Sequence, residues 1–246
     1  MWNGMSVSVV FPCYNEEDGI VDAINKFLDG GHVDELIVVD NNSRDRSAER
    51  VATTRARLVP ESRQGYGFAL QRGLREASGD LIILAEPDGT FDGKDVIKLL
   101  AYSDDFDCVL GTRTTREMIW DGANMGLFLR YGNLVVAKLL EFLFGGPSLS
   151  DCGCTMRLIH KRAVGPLLDR FTVGGSHFLP EMVILCLLSK RSLVEVPVNY
   201  RSRRGTSKIT GSLRNAWTVG LRMIALILGY RLASWFGRLP PFAPPR

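Results

Sequence analysis

The sequence alternates short runs of β-branched residues with amphipathic stretches, and this alternation constrains the fold more than any other feature. Residues 7–11 (VSVVF) and 36–39 (LIVV) are typical strands, and residues 16–28 between them have the apolar spacing of a helix. The alternation continues, with helices expected at 44–54, 67–77 and 95–102 and strands expected at 57–59, 81–85 and 107–110. This spacing predicts an α/β, Rossmann-like fold: a mostly parallel central sheet flanked by helices, with ligands at the carboxyl ends of the strands.

The pattern changes after Gly111, where a long amphipathic helix is expected at residues 126–144. Its polar side chains fall on one side of the helical wheel: Arg130, Asn133, Lys138 and Glu141. Packing in the core and insertion in a membrane interface both explain the apolar remainder. Later elements are expected as strands at 155–160 and 193–200 and helices at 179–189 and 212–236. We divide the chain into a main domain, 1–211, and a C-terminal helix with a proline-rich tail, 212–246.

The composition limits the class of protein. A chain of 246 residues with 46% hydrophobic and 23% charged residues buries a large core, which excludes disorder and a disulfide-stapled miniprotein. The net charge of +3 is too small for a generic nucleic-acid binder. Residues 190–246 carry +10 and the remainder carries −7, so we expect a polyanionic neighbour such as membrane phosphates or a phosphorylated substrate.

The cysteines and the apolar segments bear on the compartment. The five cysteines are odd in number and scattered, which argues against a disulfide framework or a zinc site and favours a reducing compartment. No signal peptide is visible. We expect no spanning helix, because Arg222 and Arg231 interrupt the apolar residues 217–236. The expected location is the cytoplasm, with peripheral contact at the cytoplasmic face of the membrane, and self-association into a homo-oligomer is left open.

Two turns at the expected ligand edge carry polar side chains. Residues 12–17 (PCYNEE) follow the first strand, and residues 40–45 (DNNSRD) end the second. Asp40 is placed to accept hydrogen bonds from a base or ribose, or else to cap the next helix. Residues 64–67 (QGYG) lack the spacing of a phosphate loop or dinucleotide motif, so we interpret their glycines as a close backbone approach.

The most specific short motif is Glu86-Pro87-Asp88 at the end of the fourth strand. Residues i and i+2 of an extended segment point the same way, so both carboxylates can face one divalent cation. Carboxylates suit Mg²⁺ or Mn²⁺, and such an ion neutralises charge on a diphosphate. An acidic turn without a ligand is the competing interpretation.

Taken together, the motifs resemble the family 2 glycosyltransferases of GT-A fold, especially polyprenyl-phosphate (dolichyl-phosphate) mannosyl- and glucosyltransferases. The resemblance covers about residues 6–210. It rests on these segments: 9–16 (VVFPCYNE), 38–43 (VVDNNS), 65–67 (GYG), 79–80 (GD), 86–88 (EPD), 111–113 (GTR), Arg130, 151–157 (DCGCTMR) and 196–208 (VPVNYRSRRGTSK). Residues 1–211 would then be the GT-A catalytic domain.

The resemblance implies roles for individual residues. Nucleotide binding would fall to Pro12, Tyr14, Asn15, Glu16, Asp40, Asn42, Gly65 and Gly67. Glu86 and Asp88 would hold the metal and the diphosphate. A cationic wall for the diphosphate and an acceptor phosphate would be Arg113, Arg130, Arg201, Arg203 and Lys208. The residues assigned to catalysis would be Asp88, Arg113, Arg130 and Asp151.

Two departures from the family pattern matter. Glu86 stands where such families usually have aspartate, so a longer side chain must reach the metal or leave that task to Asp88. Asn41-Asn42 stands where Asp-Gly is common, which leaves the nucleotide base open.

The reaction implied is inverting transfer of a sugar from a GDP- or UDP-sugar to a polyprenyl phosphate. A phosphate acceptor is already anionic, so it needs no strong general base. A hydroxyl of a glycan or small molecule would need one, for which Asp151 and Glu181 are the candidates. Two further classes stay open: a non-catalytic nucleotide-sugar-binding subunit and a nucleotidyltransferase. The nucleotidyltransferase is disfavoured because the chain lacks a glycine-rich, basic triphosphate loop near the first strand.

Overall fold

The computed structural model describes residues 1–123, 126–203, 213–239 and 242. Its strands are β1 (Val7–Cys13), β2 (Glu35–Asp40), β3 (Arg57–Pro60), β4 (Leu81–Leu84), β5 (Cys108–Thr112), β6 (Arg157–His160) and β7 (Leu193–Pro197). Its helices are α1 (Ile20–Leu28), α2 (Ser47–Val51), α3 (Tyr66–Glu76), α4 (Val96–Leu100), α5 (Leu127–Phe144), α6 (Lys161–Val164), α7 (Phe178–Leu188) and α8 (Leu213–Trp235). Three short 3₁₀ turns complete the described elements.

All seven strands form one sheet in the order β3-β2-β1-β4-β6-β5-β7. Only β6 runs antiparallel, and it is inserted between β4 and β5. The expected mostly parallel sheet is therefore confirmed. The βαβ connections from β1 to β4 bring the carboxyl ends of β1, β2 and β4 to one edge, where Cys13 pairs with Asp40. That edge is where ligands bind in open α/β sheets.

The sheet has an apolar core on each face. One core packs α3, α5, α7 and α8 against the sheet, and the other packs α1 and α4. The buried guanidinium of Arg157 on β6 is compensated by hydrogen bonds to the carbonyl oxygens of Cys152, Cys154 and Leu179. All five cysteines are free and buried, in agreement with the expected absence of a disulfide framework.

Helix α8 differs from its sequence expectation. Residues Ala216–Trp235 have a mean hydropathy of 1.3 and are long and apolar enough to cross a bilayer, even with Arg222 and Arg231. The expectation of no spanning helix is therefore not supported. Met223 and Ile227 nevertheless anchor one side of α8 in the protein core, against α5 and α7.

Helix α5 spans the residues predicted for it, and part of its apolar side packs in the core. Val136, Ala137 and Leu140 are buried in the core, whereas Tyr131 and Phe142 are exposed. The domain boundary expected at residue 211 lies outside the described residues, and the division at that point stays a prediction.

Candidate active site

An open pocket lies at the carboxyl ends of β1, β2 and β4. Its lining residues are Pro12, Cys13, Tyr14, Glu16, Asn41, Gln64, Tyr66, Ala69, Glu86, Pro87, Asp88 and Arg203. They come from five separate segments of the chain, so the sheet topology assembles the pocket. The position is the one that the strand pattern predicts for a ligand.

The turn after β1 is tied to the turn after β2. Asn15 has a left-handed backbone (φ 55°), its amide donates to Ser43 Oγ (3.0 Å), and its Oδ1 accepts from the Arg44 amide (2.7 Å). These two bonds fix the turn that carries Pro12, Tyr14 and Glu16 into the pocket. Asn15 thus shapes the wall from behind and does not itself line it.

Asn41 lines the pocket, although the sequence marks it only as a departure from the family pattern. Its Oδ1 accepts from the Gly65 amide at 2.7 Å, and its Nδ2 donates to the carbonyl oxygens of Glu61 and Arg63. Asn41 therefore holds the segment before α3 against β2. Asp40, the predicted nucleotide contact, does not line the pocket. Its Oδ1 accepts from the Ser43 amide (3.3 Å), and it does not cap α2, whose N-cap residue is Arg46.

The two glycines before and in α3 are required by a close approach of another segment. An added Cβ at Gly65 would overlap the carbonyl oxygen of Gly174, and one at Gly67 would overlap that of Val173. The Gly67 amide donates to the Gly174 carbonyl (2.9 Å). The expected close backbone approach is therefore present, but the approaching group is the chain itself. Asn42 stabilises the same region by donating to the Ser62 carbonyl (3.0 Å).

Glu86 is fixed by two hydroxyl groups. Its Oε1 accepts from Tyr66 (2.9 Å) and from Thr155 (2.6 Å). Burial and the neighbouring charge of Asp88 raise the pKa of Glu86 to about 7. Burial and the charge of Glu86 raise the pKa of Tyr66 well above its ordinary value, so this hydroxyl keeps its proton and can donate.

Asp88 combines a satisfied oxygen with an unsatisfied one. Its Oδ1 accepts from the amide and the hydroxyl of Thr90, at 2.9 and 2.5 Å. Its Oδ2 is buried and has no hydrogen-bond donor. Arg203 Nη1 lies 2.9 Å from this oxygen, a charge contact without the geometry of a hydrogen bond.

The residues present fit a divalent cation shared with a substrate. The contact with Arg203 gives Asp88 Oδ2 a charge partner but no hydrogen bond, so this buried oxygen keeps the capacity to accept a divalent cation. Within residues 1–123, 126–203, 213–239 and 242, no group of three or more His, Cys, Asp or Glu side chains could hold a metal by itself. Glu86 and Asp88 thus offer two carboxylates only, the arrangement in which Mg²⁺ takes its other ligands from phosphate groups and water.

Arg203 closes the pocket from the opposite side. Its Nη2 donates to Glu16 Oε1 at 2.6 Å, so one guanidinium joins the turn after β1 to the loop after β4. Burial alone would lower the pKa of Arg203, but the charges of Asp88 and Glu16 raise it. The arginine is therefore a permanent cation within the pocket.

Three other predicted cations, Arg113, Arg130 and Arg201, are not among the residues that line the pocket. Arg113 forms a two-pronged ion pair with buried Asp151 (2.8 and 3.0 Å), and Arg201 pairs with Asp92 (3.1 Å). Arg130 lies in the first turn of α5. Lys208 lies outside the described residues.

The two carboxylates considered as general bases are occupied. Asp151 forms an ion pair with Arg113. Burial alone would lower the pKa of Arg113, but the charge of Asp151 raises this pKa well above its ordinary value. Glu181 is buried in α7 and accepts from the Thr172 and Val173 amides and the Tyr230 hydroxyl. Neither side chain lines the pocket. Both carboxylates are bound to partners within the protein, and neither is placed to take a proton from an acceptor in the pocket.

Comparison with known proteins identifies relatives. The model of the family "Glycosyl transferase family 2" matches residues 8–168. An "Uncharacterized glycosyltransferase" of Mycobacterium tuberculosis is 32% identical over 87% of this chain and 94% of its own length. The "Dolichyl-phosphate hexose transferase" of Haloferax volcanii is 27% identical over 92% of this chain and 96% of its own length.

Another relative is longer than this chain. The "Low-salt glycan biosynthesis hexosyltransferase Agl6" of H. volcanii is 28% identical over 93% of this chain, and the match spans 55% of the length of Agl6. Among solved structures, glucosyl-3-phosphoglycerate synthase of M. tuberculosis, in complex with Mn²⁺, UDP and glucosyl-3-phosphoglycerate, superposes with a TM-score of 0.66. It is 22% identical, and the superposition covers 93% of this chain and 80% of the synthase, which establishes a shared fold.

Proposed function

The chain belongs to glycosyl transferase family 2 and is a glycosyltransferase, and from this premise we propose that it moves a hexose from a UDP- or GDP-sugar to a polyprenyl-phosphate acceptor at the cytoplasmic membrane face, with Mg²⁺ or Mn²⁺. The homologue named for dolichyl-phosphate hexose transfer supports the acceptor class, since nearly the full length of both chains aligns. The structure of the synthase with Mn²⁺ and UDP supports the metal and the donor class.

The observation that carries the proposal is the buried, donor-free Oδ2 of Asp88 at the pocket wall. Asp88 and Glu86 would together hold the cation. When bound, the ion would neutralise charge that develops on the leaving diphosphate. Arg203 stands beside the same oxygen and would contact the diphosphate from the opposite side.

Other residues of the pocket would orient the nucleotide. Pro12, Tyr14 and Glu16 form the wall after β1, and Asn41 holds the Gly65–Gly67 segment in place. Asn15, Asp40 and Asn42 support those turns through the hydrogen bonds described above. The assignment of Arg113, Arg130, Arg201 and Lys208 to phosphate binding remains a proposal that rests on the family pattern alone.

Helices α5 and α8 support the membrane part of the proposal. They pack against each other and present large exposed apolar side chains: Leu127, Tyr131, Val135 and Phe142 on α5, and Trp217, Leu221, Leu228, Leu232 and Trp235 on α8. Helix α8 contains no acidic residue and includes Arg222 and Arg231. An apolar surface with arginines and tryptophans suits the interface of an anionic bilayer, and one side of α8 stays in the protein core.

The test is transfer by purified full-length protein from labelled UDP- and GDP-sugars, with Mg²⁺ or Mn²⁺, in the presence and absence of polyprenyl phosphate. Label that enters the organic phase only with polyprenyl phosphate would confirm the acceptor class and identify the donor. Nucleotide release with aqueous label would point to a hydroxyl acceptor instead. Absence of release with every donor and metal would contradict the proposal and favour a binding subunit.

A further inference from the structure

Three oxygen atoms from distant parts of the chain meet beside the pocket. The Tyr66 hydroxyl, at the start of α3, lies 2.9 Å from Glu86 Oε1, and the Thr155 hydroxyl, just before β6, lies 2.6 Å from the same oxygen. The two hydroxyls are 2.5 Å apart. Tyr66 and Glu86 line the pocket, whereas Thr155 is buried behind them.

The hydroxyls of Tyr66 and Thr155 hold one oxygen of Glu86. Each hydroxyl has one proton to donate, and the Glu86 oxygen accepts in either arrangement of those protons. Hydrogen bonds to a carboxylate are stronger than those between neutral groups. The cluster therefore fixes Oε1 and commits it to protein donors, and only the second oxygen of Glu86 is left for a cation.

The extra methylene of glutamate makes this arrangement possible. An aspartate at position 86 would end one carbon earlier and would reach neither hydroxyl, since hydrogen bonds fail beyond about 3.5 Å. Glu86 is the position where this sequence departs from the aspartate usual in its family. The two hydroxyls thus explain how a longer, more flexible side chain is held still at a site where geometry matters.

We propose that Tyr66 and Thr155 are positioning residues that orient Glu86 toward the cation shared with Asp88, an inference that rests on the proposed metal and diphosphate site. They act through Glu86 and do not contact the reacting atoms. The role depends on glutamate: with aspartate at position 86, both hydroxyls lose their acceptor and their influence on the cation. This dependence separates a positioning role from a general contribution to folding.

The experiment measures Mn²⁺ affinity by calorimetry or electron paramagnetic resonance, with UDP or GDP present, on the full chain. Tyr66→Phe and Thr155→Val should each weaken Mn²⁺ binding about tenfold, the usual cost of removing a partner of a metal ligand. Thr155→Ser keeps the hydroxyl and should retain wild-type affinity. Tyr102→Phe, at an exposed tyrosine on the other face of the sheet, is the matched control.

A double-mutant cycle with Glu86→Asp decides the mechanism. In the Glu86→Asp background, Tyr66→Phe and Thr155→Val should change Mn²⁺ affinity by less than about twofold. Equal losses in both backgrounds, or no loss in the wild-type background, would overturn the proposal. Thermal unfolding of every variant checks that the comparison is made on folded protein.

The result is separable from the proposed function. A positive cycle without lipid-linked product would keep the positioning role and reject the acceptor. Lipid-linked product with an additive cycle would reject the positioning role alone. A wild-type protein that binds no Mn²⁺ with either nucleotide would overturn both this inference and the metal assignment.

Discussion

Arg203 Nη1 lies 2.9 Å from Asp88 Oδ2, the same buried oxygen that we assign to a divalent cation. The other terminal nitrogen of this guanidinium holds Glu16 at 2.6 Å. Two cations compete for one carboxylate oxygen, because their mutual repulsion is large when both are partly buried. The arginine and the metal therefore each weaken the binding of the other to this oxygen.

This competition predicts the effect of Arg203→Ala on metal binding. Without nucleotide, the variant should bind Mn²⁺ more tightly than wild type, by up to about tenfold, which corresponds to a charge interaction on the order of 1 kcal/mol. It should bind the UDP- or GDP-sugar more weakly, since a diphosphate partner is lost. Arg201→Ala, which removes an arginine paired outside the pocket with Asp92, serves as the control for Mn²⁺ affinity. Unchanged or weaker Mn²⁺ binding by Arg203→Ala would contradict the competition.

Asp88→Asn tests the carboxylate itself. The amide keeps an oxygen for the Thr90 amide and hydroxyl but loses the charge, so the fold should persist while sugar transfer falls by about 100-fold or more. Initial rates at saturating metal and the midpoint of thermal unfolding give both quantities. Asp92→Asn changes an aspartate four residues later that does not line the pocket and is the matched control. Turnover of Asp88→Asn within a few-fold of wild type would disprove the metal assignment.

The strand and helix pattern predicts much of this site. Apolar runs with the correct spacing predict the sheet, and the carboxyl ends of β1, β2 and β4 do form the pocket edge. Pro12, Tyr14, Glu16, Glu86 and Asp88 line it, because they lie at or shortly after the carboxyl ends of β1 and β4.

The parts that sequence does not predict depend on contacts between distant segments. Arg113 and Asp151 are separate candidates in the sequence, and only the fold shows that they neutralise each other. In the sequence, Asn41 is notable only as a departure from the family pattern. Its hydrogen bond with the Gly65 amide joins two segments that are distant in the chain, so the sequence does not reveal it. Thr155 carries no signal of its own for the same reason, although it lies within a family motif.

The glycine at position 67 provides a test of the backbone contact beside the pocket. Gly67→Ala would place a Cβ against the Val173 carbonyl oxygen, so we expect a loss of about 1–3 kcal/mol in the free energy of unfolding. Gly132→Ala, in α5 where an added Cβ meets nothing within 4 Å, should stabilise by about 0.5–1 kcal/mol. Urea unfolding of the two variants gives the comparison, and equal shifts in the same direction would contradict the packing argument.

The cysteines should be unreactive in the native protein. Burial is the main cause that raises the pKa values of Cys13, Cys152 and Cys154 to about 12, and the thiolate is the reactive form. At pH 8 the thiols therefore stay protonated. Titration with a thiol reagent should detect fewer than one cysteine per native chain and all five after unfolding. Rapid modification of Cys13, which lines the pocket, would show that this wall opens in solution.

The apolar surface of α5 and α8 predicts a separation between membrane binding and donor binding. Substituting Leu221, Leu228 and Leu232 together by Gln removes exposed apolar side chains of α8 without touching the buried Met223 and Ile227. Sedimentation with phosphatidylglycerol vesicles should fall at least about tenfold, since each buried apolar side chain contributes roughly 1.5–3 kcal/mol. Transfer to long-chain polyprenyl phosphate in vesicles should fall in parallel. Affinity for the nucleoside-diphosphate sugar should not change, because the pocket lies at the strand ends and none of its described lining residues belongs to α8. Ile97→Gln, at an exposed residue of α4 on the other face of the sheet, is the control and should leave sedimentation unchanged. Full vesicle binding by the triple variant would disprove α8 as the membrane contact, and a parallel loss of donor affinity would mean that the substitutions disturbed the fold.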